Sequence, residues 1–254
     1  MTVVLAAEAL SKRFLKDERY LMALEDFSLD VEGGSFVVIL GRSGCGKSTF
    51  LNMAAGLTKP TSGRVLFNGQ PKAGPSQDIG YLTQTDSLMP WRNVRRNVEM
   101  PLEMRRVPRR DRSRAAAQLL DKVGLSGFER HYPRELSGGM RRRASLARML
   151  IADPQLLLLD EPFGALDAQL RHDLQTQLLE LWQASGRTIV FVTHDIEEAI
   201  LLADRVVVLA ARGRVVVDKM IELERPRDLE QPALAARFAE YRHELTVALR
   251  QAAS

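Results

Sequence analysis

Two kinds of apolar pattern alternate along the chain. Unbroken runs such as Phe36-Val37-Val38-Ile39-Leu40 and Leu156-Leu157-Leu158-Leu159 are short and bounded by polar residues or glycine. Their lack of alternation predicts strands covered on both faces. Asp78 to Thr83 and Thr188 to Val192 read as further short strands. Val3 to Leu10 and Leu24 to Val31 alternate loosely, as half-buried strands do, and Gly33-Gly34 marks the turn before the next strand. Lys59-Pro60-Thr61-Ser62-Gly63 is a turn, and Arg64 to Phe67 is a strand closing on Asn68-Gly69. Helical spacing fills the intervals at Thr49 to Leu57, Arg141 to Ile151, Leu166 to Ala184 and Asp195 to Ala203. Two strands joined at Gly213, Arg205 to Ala210 and Arg214 to Val217, come next. Leu234, Phe238, Tyr241, Leu245 and Leu249 then recur at helical spacing, a stripe better suited to packing on the chain's own core than to docking. Residues 85–154 break this rhythm: they are Arg-rich and helix-patterned, with punctuation at Pro90, Pro101, Pro108, Gly124, Gly127 and Pro133. The pattern predicts an α/β chain with a β-rich opening, a parallel sheet, and a helical insertion between two of its strands. The core spans 1–84 and 155–225, the helical subdomain 85–154, and a C-terminal helical extension 226–254.

Composition narrows the setting. With 45% apolar and 27% charged residues, the chain has the make-up of a globular domain. The single cysteine, Cys45, excludes a disulfide framework and fits a reducing compartment; it reads as a small filler rather than a reactive thiol. The opening Met1-Thr2-Val3-Val4-Leu5 lacks the layout of a secretory signal. No run approaches the roughly 18 apolar residues of a spanning helix, so any work at a membrane is expected to pass through a partner. The net charge is only +4, but nine arginines lie between Arg92 and Arg114 against Glu99, Glu103 and Asp111. A solvated helical face is preferred over a nucleic-acid or lipid surface, because no aromatic residue is interleaved from Arg95 onward.

Candidate chemistry begins where the first buried strand ends. Gly41-Arg42-Ser43-Gly44-Cys45-Gly46-Lys47-Ser48-Thr49 has the spacing of a phosphate-binding loop between a strand and a helix. Its glycines let backbone N–H groups converge on one anion, and the helix that follows adds its positive end. Lys47 supplies a mobile charge for β/γ-phosphates and the Ser48 hydroxyl is a magnesium ligand, so the chain is expected to bind a nucleoside triphosphate. A buried strand also delivers Asp160-Glu161 at its carboxyl end, where ligands sit in open α/β sheets. Asp160 suits a magnesium ion held through its waters, and Glu161 suits polarising an attacking water. Leu136-Ser137-Gly138-Gly139-Met140 opens a helix with a capping serine and paired glycines, a second anion-binding element. Phe14 and Tyr20 are the two aromatic residues upstream that compete for stacking on a base.

Taken together, the phosphate loop, Gln84, Leu136-Ser137-Gly138-Gly139-Met140, Leu156 to Pro162, Gly164-Ala165-Leu166-Asp167 and His194 occur in the order of the ATP-binding cassette (ABC) ATPases of transporters, which the chain resembles from Leu10 to about Asp218. The resemblance implies a P-loop NTPase fold, with a RecA-like core, an N-terminal antiparallel β subdomain and an inserted α-helical subdomain. It implies ATP and Mg²⁺ as ligands. Phe14, Gly41, Ser43, Gly44, Cys45, Gly46, Lys47, Ser48 and Thr49 would hold the nucleotide, and Ser48, Gln84 and Asp160 the metal. Glu161, His194, Gln84 and Lys47 would be the catalytic set: Gln84 senses the γ-phosphate and links the subdomains, and His194 orients the water. Ser137, Gly138 and Gly139 would meet the nucleotide of a second copy arranged head-to-tail, with Asp167 in the loop crossing that interface. Met140 and Gly164 depart from the family's commoner Gln and Ser without removing a phosphate ligand. His131, His172 and His243 are read as structural.

A finer resemblance, carried by Ser87 to Val94, Leu159 to Asp167 and Thr193 to Ala199, is to importers of nitrate, taurine and aliphatic sulfonates. It implies permease subunits, an external substrate-binding protein, a place at the cytoplasmic face of the membrane and no nucleic acid. Pyrimidine-precursor importers and exporters, and more remotely nucleic-acid-associated ABC ATPases, are the alternatives. Trp91 lies where such cassettes receive the permease, although it equally suits filling the helical subdomain's core.

Overall fold

A computed structural model describes residues 2–164, 166–227 and 231–252. Ala165 of the Gly164–Asp167 loop lies outside them. In chain order the elements are β1 (Val3–Lys16), β2 (Arg19–Glu32), β3 (Phe36–Gly41), α1 (Lys47–Ala54), β4 (Ser62–Phe67), β5 (Gln70–Pro71), β6 (Ile79–Leu82), α2 (Val94–Met104), α3 (Arg109–Lys122), α4 (Gly138–Leu150), β7 (Leu156–Asp160), α5 (Ala168–Ser185), β8 (Thr188–Thr193), α6 (Ile196–Leu202), β9 (Arg205–Leu209), β10 (Val215–Met220) and α7 (Pro232–Gln251). The chain divides into two compact units, residues 1–76 with 186–254, and residues 77–185.

The first unit carries an antiparallel sheet in the order β2-β1-β4-β5. It also holds β3 between β8 and β9, all parallel, with β10 antiparallel on β9. Every residue of β3 and of β8 is buried, as their unbroken apolar runs require. Leu40 stands opposite Thr193 on one side and Val208 on the other, so the three carboxyl ends finish level. Helix α1 packs Phe50 against Phe27 of β2, ring centroids 4.9 Å apart. Of the C-terminal stripe, Phe238 and Leu245 are buried and Leu234, Tyr241 and Leu249 half-buried; α7 lies against α6, β9 and β10, and the Tyr241 hydroxyl accepts from Glu222 N at 3.1 Å.

The second unit pairs β6 with β7 in parallel, Leu82 opposite Leu159. Helices α2, α3 and α4 enclose a core of Leu88, Val94, Val98, Ala116, Leu120, Leu125, Leu136, Ala144 and Ala147. Asn97 sits inside it with its amide matched on both sides: Met89 N donates to Oδ1 at 2.7 Å, and Nδ2 donates to Arg92 O at 2.8 Å. Part of the arginine run is used here as well. Arg95 and Arg112 flank the buried Glu99 at 3.6 and 3.7 Å, and Arg92 reaches Glu103 at 2.6 Å. Trp91 does not fill this core, being 72% exposed.

Candidate active site

In the first unit, β3 runs straight into the phosphate loop. Gly46 takes φ +111, and a Cβ there would meet Ala23 O at 2.7 Å, so only glycine lets the loop pass this close to β2. It is also the N-terminal cap of α1 and provides no side-chain cap. Gly44 (φ +84) faces open space, and the half-exposed Thr49 and the exposed Ser43 and Ser48 complete the loop. Lys47 is only 4% exposed, its ammonium folded back to donate to Gly41 O at 2.8 Å and Arg42 O at 3.0 Å. Cys45 is buried, and its Sγ fills the space beside Gly41, as expected of a filler. Because Leu40 and Thr193 are level, His194 stands exposed at the same strand edge as the loop. Asp195 beside it caps α6, accepting from Glu197 N and Glu198 N.

Phe14 and Tyr20 lie near the tip of the β1–β2 hairpin, Phe14 opposite Leu21 and Tyr20 opposite Leu15. Lys12 pairs with Leu24, the residue against which the phosphate loop packs, and its ammonium lies 5.1 Å from the Phe14 ring centroid. Phe14 therefore shares one side of the hairpin with Lys12. Tyr20 is on the other side, under Arg13 at 5.1 Å.

In the second unit, β6 and β7 end level, so Gln84 and Glu161 each follow two residues beyond the Leu82–Leu159 pair. Asp160 is buried and accepts a hydrogen bond from the Tyr81 hydroxyl; burial first, and then the Asp160 charge, raise the Tyr81 phenol well above its usual value and keep it a donor. Glu161 has φ +43, a left-handed conformation unusual for a residue with a long side chain. The Ser137 hydroxyl accepts from Met140 N at 3.2 Å and caps α4, with Gly138 exposed at its first position. Gly139 is buried, and a Cβ there would overlap Leu170 Cδ2 of α5. Asp167 caps α5, accepting from Leu170 N at 3.0 Å. His131 is half-buried, with its ring 5.1 Å from Phe128, while His172 and His243 are exposed.

Two residues of this unit escape a reading of the sequence. Tyr81 meets Asp160 only through the β6–β7 register, which the pattern does not specify. Arg142 is buried and donates to Pro162 O at 2.5 Å and Thr83 O at 2.6 Å. Its one visible sign is an arginine at helical spacing from Gly139, Leu146 and Met149.

Ser48 in the first unit and Asp160 in the second each carry an oxygen donor of the kind that magnesium takes. The described residues offer no cluster of three or more His, Cys, Asp or Glu for a metal. Magnesium characteristically takes one or two protein oxygens, leaving its other positions to water and phosphate.

The profile described as ABC transporter matches residues 24–164. The chain is 46% identical to an uncharacterized ABC transporter ATP-binding protein of Methanocaldococcus jannaschii, over 96% of this chain and 91% of that one. It is 48% identical to the taurine import ATP-binding protein TauB of Burkholderia pseudomallei, over 87% of this chain and 85% of the relative. A dimeric post-hydrolysis structure of the ATP-binding cassette MJ0796, bound to ADP and Pi, superposes with a TM-score of 0.79 at 31% identity, over 87% of this chain and all of that one. The folding pattern is that of the P-loop NTPases, and the chain belongs to the ABC transporter family as one of its ATP-binding ATPase cassettes.

Proposed function

We propose that the chain is the nucleotide-hydrolysing subunit of an importer for a small anion or sulfonate, with taurine, alkanesulfonate and nitrate as the substrate class. The observation that carries this is the 48% identity over 87% of the chain to a taurine import ATP-binding protein. Two copies work head-to-tail at the cytoplasmic face of the membrane, bound to permease subunits that receive substrate from an external binding protein. ATP closes the pair, and hydrolysis reopens it.

Each residue type supports its assigned role. Backbone amides of Gly44 to Ser48 cradle the phosphates, and Lys47 turns from its backbone acceptors to the β/γ-phosphates. Phe14 stacks on adenine, a role supported by its exposed ring beside the Lys12 ammonium. Ser48, Asp160 and Gln84 hold Mg²⁺, which supplies charge neutralisation to the phosphates. Glu161 accepts the proton of the water that attacks the γ-phosphorus, the bond to the bridging oxygen breaks, and ADP leaves with inorganic phosphate. His194 orients that water. Ser137, Gly138 and Gly139 close on the nucleotide of the sister copy. A groove of about 390 Å³ in the second unit, lined by Met89, Met100, Met104, Met149, Arg105 and Arg148, suits an amphipathic helix of the permease, and Trp91 is available to it.

The test is hydrolysis by the complex purified from membranes with its permease, reconstituted with the binding protein. Taurine, an alkanesulfonate or nitrate should stimulate ATP turnover several-fold. Stimulation by DNA, or by none of the three solutes, contradicts the assignment.

A further inference from the structure

Three arginines, Arg141, Arg142 and Arg143, follow the Ser137–Gly139 turn, and the middle one faces inward. Arg142 is 5% exposed. Burying a guanidinium is costly unless its N–H groups find acceptors. The acceptors here are backbone carbonyls of two loops. Nε donates to Pro162 O at 2.5 Å, and Nη1 donates to Thr83 O at 2.6 Å and, at 3.5 Å, to Gln84 O. Asp86 Oδ1 lies 3.9 Å from Nη1, and the same Asp86 accepts from Arg141 Nε at 3.2 Å. Among the described residues, Nη2 meets no acceptor.

The identity of those carbonyls matters. Thr83 immediately precedes Gln84, and Pro162 immediately follows Glu161. A planar, rigid fork that donates to both fixes the spacing of the two backbones, which a flexible ammonium does not do. The fork is carried on the second turn of α4, whose first residues are Gly138 and Gly139. An arginine retained only to fill the core would have no reason to select the backbones on either side of these two functional residues.

We infer that Arg142 is a positioning residue that holds Gln84 and Glu161 at a fixed offset from the Ser137–Gly139 turn. Contact of that turn with the sister copy's nucleotide is thereby transmitted to this chain's own hydrolytic residues. The unmatched Nη2 is the group that a shifted Gln84 loop would satisfy in the nucleotide-engaged arrangement. The inference rests on the roles proposed above for Gln84, Glu161 and Ser137.

The experiment compares Arg142→Lys and Arg142→Met with the parent chain over an ATP titration. Both variants should bind a fluorescent ATP analogue within about twofold of the parent, while turnover falls roughly 10- to 100-fold, as for a misplaced catalytic group. The Hill coefficient should fall toward about 1 as the two sites lose their link. Lysine, which reaches one carbonyl, should restore part of the turnover relative to methionine. Arg141→Met, a change at the neighbour that shares Asp86, should leave both quantities unchanged. Parental turnover and cooperativity in either folded Arg142 variant overturn the inference. A second readout needs no substitution: in the parent, amides of residues 83–86, 138–142 and 163–164 should gain hydrogen-exchange protection at one common ATP midpoint, and separate midpoints overturn it. Undiminished turnover in Glu161→Gln is a different result, which removes the hydrolytic reading itself.

Discussion

Glu161, half-buried and one residue beyond a fully buried strand, keeps a left-handed backbone, φ +43, that a long side chain does not favour. Such strain persists where the surroundings fix it and function uses it. As the proposed base, Glu161→Gln should lose roughly 10²–10⁴-fold in turnover while still binding ATP, measured by phosphate release and nucleotide titration. Phe14 and Tyr20 are separated by the face each occupies. Phe14→Ala should weaken nucleotide binding by about 1–3 kcal/mol, the worth of one base–aromatic stack, and Tyr20→Ala should change it little. The glycine at 139 has a reason besides the phosphate contact proposed for it, since Leu170 occupies the volume a methyl would need. Gly139→Ala should destabilise by about 1–3 kcal/mol through overpacking, and adding Leu170→Ala should recover most of the lost melting temperature.

At the scale of elements, the strands buried on both faces were legible because a short, continuous apolar run bounded by turn residues suits little else in an α/β chain. The alternation of β1 and β2 extends past Leu10 and starts before Leu24, because their shared hairpin is exposed at its tip and loses its apolar signature there. Helix α1 begins at Lys47 rather than Thr49, since the phosphate loop closes directly into its first turn. The arginine run of α2 and α3 is in part internally paired. Glu103 shows its electrostatic consequence: the hydrogen bond from Arg92, then the charges of Arg92, Arg112 and Arg96, hold its carboxyl below its usual value. A depressed carboxyl contributes stability at and above the ordinary pKa of about 4.3, and that contribution disappears as pH falls below it. Melting of the helical unit should therefore become more acid-sensitive below about pH 4 in the parent than in Glu103→Gln. Equal acid sensitivity would show that the pairing is too solvated to matter.

Over the whole molecule, the order of the motifs announced a cassette, because each combines a backbone requirement with a chemical one. What stayed hidden were the groups that act through strand register or packing. Tyr81 on Asp160 and Arg142 between Thr83 and Pro162 are placed by contacts that no local spacing encodes. The central claim is that one copy's Lys47 loop and the other's Ser137 turn enclose each ATP. Mixing a Lys47→Ala chain with a Ser137→Arg chain tests it most directly. Each variant alone should be inactive, and the mixture should regain turnover up to roughly a quarter of the parental value, because half of randomly formed pairs are mixed and each mixed pair has one intact site. A mixture that forms mixed pairs yet stays as inactive as its components would contradict the account.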